Sequence, residues 1–146
     1  QGWVKFHLDS AYRHIGAWDR SSKLLKESLK INETHYGKNH IKTAQILNSL
    51  GKVGIASQSF DGSKEYLERA LEIYIMDNHY DRYKVYEALG DLYRAMYEKG
   101  EGNSYLLKKS LGNFRRAMVV VEKHFPADST HIKRIKSKIA SFDNKY

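Results

Sequence analysis

Leu24-Leu25-Lys26-Glu27-Ser28-Leu29-Lys30-Ile31 and Tyr66-Leu67-Glu68-Arg69-Ala70-Leu71-Glu72-Ile73 carry the same kinds of residue in the same order, 42 positions apart. Leu25 aligns with Leu67, Leu29 with Leu71 and Ile31 with Ile73. A fixed period of this size marks a stacked helical array, in which one unit cannot bury its apolar face alone and leans on its neighbours. Arrays of this kind commonly bind other molecules, so the repeat bears on function as well as on fold.

Working outward, polar turns punctuate the chain around Asp19-Arg20-Ser21-Ser22, Gly37-Lys38-Asn39-His40, Asp61-Gly62-Ser63, Asn78 to Asp81, Gly100 to Asn103 and Pro126 to Ser129. Apolar residues recur at helical spacing between them, and strict alternation is rare. The chain therefore reads as all-α, with helices at about 3–18, 21–36, 41–58, 63–77, 82–99, 104–124 and 129–143. Seven helices in alternation make three hairpins and a trailing helix. Ser21/Ser22, Ser63 and Ser129/Thr130 fall where helix caps are wanted.

The first helix of each hairpin repeats too. Leu8-Asp9-Ser10-Ala11-Tyr12, Leu50-Gly51-Lys52-Val53-Gly54 and Leu89-Gly90-Asp91-Leu92-Tyr93 align, and a Gly in the second position suits a tight helix crossing. A second small residue follows 19 positions later, Ser28 after Asp9 and Ala70 after Gly51, whereas Gly90 to Ala117 is 27. Eight residues have entered the third unit, within Glu101 to Leu111, and the spacing predicts one helix over 104–124, lengthened by about two turns.

These features resemble the tetratricopeptide repeat, whose pattern includes Leu-Gly, a Tyr three residues on and a later Ala-Leu: Gly90 with Tyr93, and Ala70-Leu71, match. The stretch Leu29 to His40 followed by Leu47-Asn48-Ser49-Leu50 is similar to the 42-residue variety of kinesin light chains, and Glu122-Lys123-His124-Phe125-Pro126 is a partial third copy. The resemblance covers residues 3–140; Asp9, Gly54 and the insertion depart from it. It implies a right-handed α-α superhelix, or solenoid, forming one domain over 1–146 with units at 3–40, 41–80 and 82–126 and a final helix at 129–143. It further implies a non-catalytic scaffold whose first helices line a concave groove for a protein or peptide. Carried onto this chain, the groove positions are Trp3, Phe6, Ser10 and Arg13, then Gln45, Asn48, Ser49 and Lys52, then Lys84, Glu87, Asp91 and Arg94. Asn48 leads the set, because its amide both donates to and accepts from a ligand backbone.

Composition sets the outer bounds. The net charge is +8, but nine basic and four acidic residues lie in 1–60, six and nine in 61–100, and ten and four in 101–146. An acidic middle between basic ends argues against a continuous nucleic-acid stripe and is compatible with partners that carry acidic segments. Among the eleven Tyr, Tyr12, Tyr66, Tyr74, Tyr86 and Tyr93 fall at packing positions, so a base-stacking role is not favoured. The absence of Cys excludes thiol chemistry and fits a cytoplasmic setting. The start Gln1-Gly2-Trp3, without Met or an apolar leader, suggests a piece of a longer protein.

Chemistry is hard to find. His7 and His14 are two turns, about 10.5 Å, apart; His35 and His40 flank a turn and suit capping better than zinc. No glycine-rich phosphate loop follows a strand, and Glu65, Glu68 and Glu72 read as a solvated face. No cofactor, metal or membrane span is expected. Two readings stand beside the scaffold: a sensor module that binds a small ligand or nucleic acid to control an attached domain, and a self-association module whose exposed array ends pair.

Overall fold

The computed structural model describes residues 18–101 and 104–145. Nearly all of the helix expected over 3–18 lies outside the described residues, as do Trp3, Phe6, Ser10 and Arg13. Six α-helices and no strand occur among the described residues: α1 (Trp18–Tyr36), α2 (Ile41–Ala56), α3 (Phe60–Met76), α4 (Arg82–Met96), α5 (Ser104–His124) and α6 (Thr130–Lys145). The all-helical reading holds. The chain forms two compact units, Gln1–Asp77 and Asn78–Tyr146.

In the first unit, Leu25, Ile46, Leu50 and Val53 form a buried cluster flanked by Trp18, Leu29 and Tyr66. The α2–α3 crossing shows why Gly is wanted there. A Cβ on Gly51 would collide with the side chain of Leu67, which is itself fully buried. One on Gly54 would lie 2.7 Å from Ser63 Cβ. The small residues thus admit the neighbouring helix, and each fully buried Leu side chain contributes about 1.5–3 kcal/mol. Ser63 completes the contact: its hydroxyl donates to the Gly51 carbonyl at 2.6 Å.

That bond corrects an expectation. Ser63 is not a cap but lies inside α3, which begins at Phe60 after Ser59; Ser21 likewise is fully buried inside α1. Both serines are fully buried, and the Ser63 hydroxyl gives the Gly51 carbonyl a second hydrogen bond. The caps come from elsewhere. His40 Nδ1 accepts the Lys42 N–H at 3.0 Å at the start of α2, the capping role expected of it. Ser129 Oγ accepts the His131 N–H at 3.1 Å, as expected for the last helix.

The second unit repeats the crossing. A Cβ on Gly90 would approach Phe114 to 2.5 Å, and Ser110 Oγ donates to the Gly90 carbonyl at 2.7 Å. Ser110 lies 47 residues after Ser63, while Gly90 lies 39 after Gly51; the difference, 47 − 39 = 8, is the insertion. The eight residues therefore enter before the contact and leave it intact. α5 is a single helix of 21 residues against 17 for α3, lengthened as expected but by one turn instead of two. Part of the remainder forms the π-helical stretch Tyr97–Glu101, where Gly100 takes φ 90°, a left-handed backbone that glycine adopts without steric cost. Tyr83, Ala117, Val120, Val121 and Ile135 make the core here, with Tyr86, Met118, Phe125, Ile132 and Ile139 packed on it. Tyr74 and Tyr93 are buried and Tyr66 and Tyr86 half-buried, the packing role expected of these tyrosines.

Candidate functional site

The expected site lies on the first helices of the hairpins, of which α2 and α4 are described. On α2, Gln45 and Lys52 are exposed, whereas Asn48 and Ser49 are each only 7% exposed. Asn48 Oδ1 is buried and accepts no hydrogen bond. An unmet buried acceptor costs about 1–3 kcal/mol.

α4 differs. Lys84 is exposed, with Nζ 3.6 Å from the Asp81 carboxylate. Glu87, Asp91 and Arg94, which the sequence placed open to a ligand, are instead engaged by α6. Arg134 grips Glu87 with two parallel bonds of 2.8 Å, from Nε to one carboxylate oxygen and from Nη2 to the other. Lys138 Nζ donates to Glu87 at 2.8 Å and to both Asp91 oxygens at 3.0 and 3.1 Å. Arg94 donates to the Lys138 carbonyl and to Ser141 Oγ at 2.9 Å each, with its guanidinium 4.5 Å from the Phe142 ring centre. An acidic face on one helix thus receives a basic face on another.

The two carboxylates respond in opposite directions. Burial by itself would raise Glu87, but the bonds and charges of Arg134 and Lys138 outweigh it and hold the group down to about 2. Asp91 is pushed up: burial, reinforced by the Glu87 charge, exceeds the pull of Lys138. Arg134 is raised, chiefly by its bonds to Glu87. Glu87 is accordingly ionised and spoken for at neutral pH. Sequence reading missed Arg134 and Lys138 as its partners, although the matching spacing, Glu87 to Asp91 and Arg134 to Lys138, was a usable signal.

Among the described residues no group of three or more His, Asp or Glu could hold a metal ion, and no helix is long and apolar enough to cross a membrane. What remains as surface chemistry is the polar face of α2 and the charged outer faces of the helices.

Antiparallel helix pairs joined by a recurring Gly, apolar and Ser contact define a helical-hairpin repeat. The tetratricopeptide repeat model matches residues 10–76 of the chain. Among solved structures, a kinesin-light-chain protein of Podosopora anserina with nearly identical TPR-like repeats is similar over 94% of this chain, with TM-score 0.75 and 14% identity. A substituted form of that protein gives TM-score 0.74, also at 14% identity and 94% coverage. BtubC (BKLC) from P. vanneervenii gives 0.70 with 15% identity over 99% of the chain. At such identities the likeness is one of fold. The chain spans 63% of the length of the Podosopora protein and 65% of BtubC. No curated protein matches the sequence.

Proposed function

We propose that the chain is a non-catalytic module that binds a protein or peptide along the first helices of its hairpins. The observation that carries this reading is Asn48: a buried side-chain carbonyl without a donor, between exposed Gln45 and Lys52 on the first helix of a tetratricopeptide hairpin. Once the Asn48 side chain turns outward, its carbonyl accepts a peptide backbone N–H and its amide N–H groups donate to a peptide carbonyl. Lys52, and Lys84 on α4, favour ligands with acidic residues. Ser49 is small enough to let a backbone approach. Glu87, Asp91 and Arg94 instead hold α6.

The test is selection of peptides from a random displayed library on the full chain, followed by affinity measurement on Asn48→Ala/Lys52→Ala. The selected peptides should be rich in Asp and Glu and should lose about tenfold or more in affinity, the cost of a hydrogen bond and a charge contact. Far-ultraviolet circular dichroism should stay unchanged. Equal affinity for the variant would place the site on another face.

A further inference from the structure

The side of α3 turned away from α2 carries Asp61, Glu65, Glu68 and Glu72, all exposed. At 100° per residue they fall within an arc of about 60°, opposite buried Ser63, Leu67, Ala70 and Tyr74. The stripe continues into Ile75 and Met76, which are 52% and 76% exposed. α5 mirrors this in opposite charge. Lys108, Arg115, Arg116 and Lys123 are exposed within an arc of about 100°, opposite buried Ser110, Phe114, Ala117 and Val121. Val119, 68% exposed, sits among them, and Glu122 is the one acid at the edge of the stripe.

These eight charged side chains form no ion pair or hydrogen bond among the described residues, in contrast to Glu87, Asp91, Arg134 and Lys138, which are all satisfied. Four acids spread over about 17 Å of α3, and four bases over about 23 Å of α5, at 1.5 Å per residue. The stripes are opposite in sign, the basic one is long enough to cover the acidic one, and each carries exposed apolar surface that gains from being covered.

We infer that the outer face of α5 docks the outer face of α3 from a second copy of the chain. The occupant follows from charge complementarity: an exposed acidic helix face, its four carboxylates unpaired among the described residues, is present in the same sequence. The net charge of +8 opposes the approach of two copies, but at roughly 0.1 M salt the screening length of about 10 Å mutes that long-range repulsion while charges in contact still attract. The contact is small and mostly charged, which makes it a weak and salt-sensitive association. Because the two faces lie on different helices, it joins unlike surfaces, and copies either close in a pair that uses both contacts or continue in a row. This surface is separate from the α2 face above, so either can fail alone.

The experiment is sedimentation velocity on the full chain across a wide concentration range at moderate salt. Association is expected for the native chain. Arg115→Glu/Arg116→Glu and, separately, Glu65→Lys/Glu68→Lys should each weaken it about tenfold or more, since exposed pairs are lost and like charges set face to face. An equimolar mixture of the two variants should restore it, a result that general misfolding or loss of net charge cannot produce. A native chain that stays monomeric throughout, or a mixture no stickier than its parts, overturns the proposal. Binding of an acidic polypeptide such as polyglutamate to α5 without self-association would assign the face to a foreign acidic partner instead, and equally overturns it.

Discussion

The two hairpins that are described in full, α2–α3 and α4–α5, share a contact and differ in what lies on their polar faces. In both, a Gly admits an apolar side chain and a Ser hydroxyl bonds the Gly carbonyl, Ser63 to Gly51 and Ser110 to Gly90. On α4 the polar face is closed by α6 through Glu87 and Asp91; on α2 it keeps exposed Gln45 and Lys52 and the unmet Asn48 acceptor. Packing is what repeats, and surface chemistry is what each unit varies. Packing and polar chemistry thus occupy different sides of the same helices.

The shared crossing carries the largest expected effects. Phe114→Ala should destabilise the second unit by about 3–5 kcal/mol and Leu67→Ala the first by about 2–5, since both side chains are fully buried. Denaturant unfolding measures both. If Phe114→Ala costs less than about 1 kcal/mol, well under the range for a buried Phe, the α4–α5 crossing is not held as described.

The next effect probes the difference between the units. The Glu87 carboxyl falls from 4.5 to about 2 on folding, so its contribution is fully present above pH 4.5 and is lost as pH drops through 2. A shift of that size corresponds to about 3 kcal/mol. Asp91, being raised, works the other way and is relieved by acid. Glu87→Gln should therefore cost about 3 kcal/mol at pH 7 and nearly nothing at pH 2, with amide exchange in α6 rising first. Exchange in α6 that ignores both the substitution and pH would mean the ion pairs do not hold this helix.

The smallest effect tests the equivalence of the two hairpins. Ser63→Ala and Ser110→Ala each remove one buried donor and should each cost about 1 kcal/mol. Matched losses in thermal unfolding sharpen the equivalence; a twofold disparity would show that the insertion loosened the second crossing.

The helices were legible because their cause is local. The 42-residue offset of Leu25 and Leu67 and the Gly at 51 and 90 carry period and crossing in the sequence itself. Ser21 and Ser63 were misread for a physical reason: serine favours caps by its reach to nearby backbone, but here the acceptor for Ser63 is on another helix. The site was legible only in part. Asn48, Gln45 and Lys52 could be placed on one helix, yet the fate of Glu87 depended on Arg134, 134 − 87 = 47 residues downstream and brought near only by folding. Pairings of that range leave a spacing but no local signature.

The position of the insertion carries a consequence for how this fold tolerates change. Eight extra residues run as pure helix would turn everything after them by about 80°, swinging Phe114 away from Gly90. Because the extra length sits ahead of Ser110, where Gly100 breaks the helix, the phase is reset before the contact is reached. The segment before Ser110 works as a slip joint: material can be added or removed there without rotating the core, while one residue added between Ser110 and Ala117 would turn the buried face outward. Variation in length should accumulate on one side of that serine and be absent from the other.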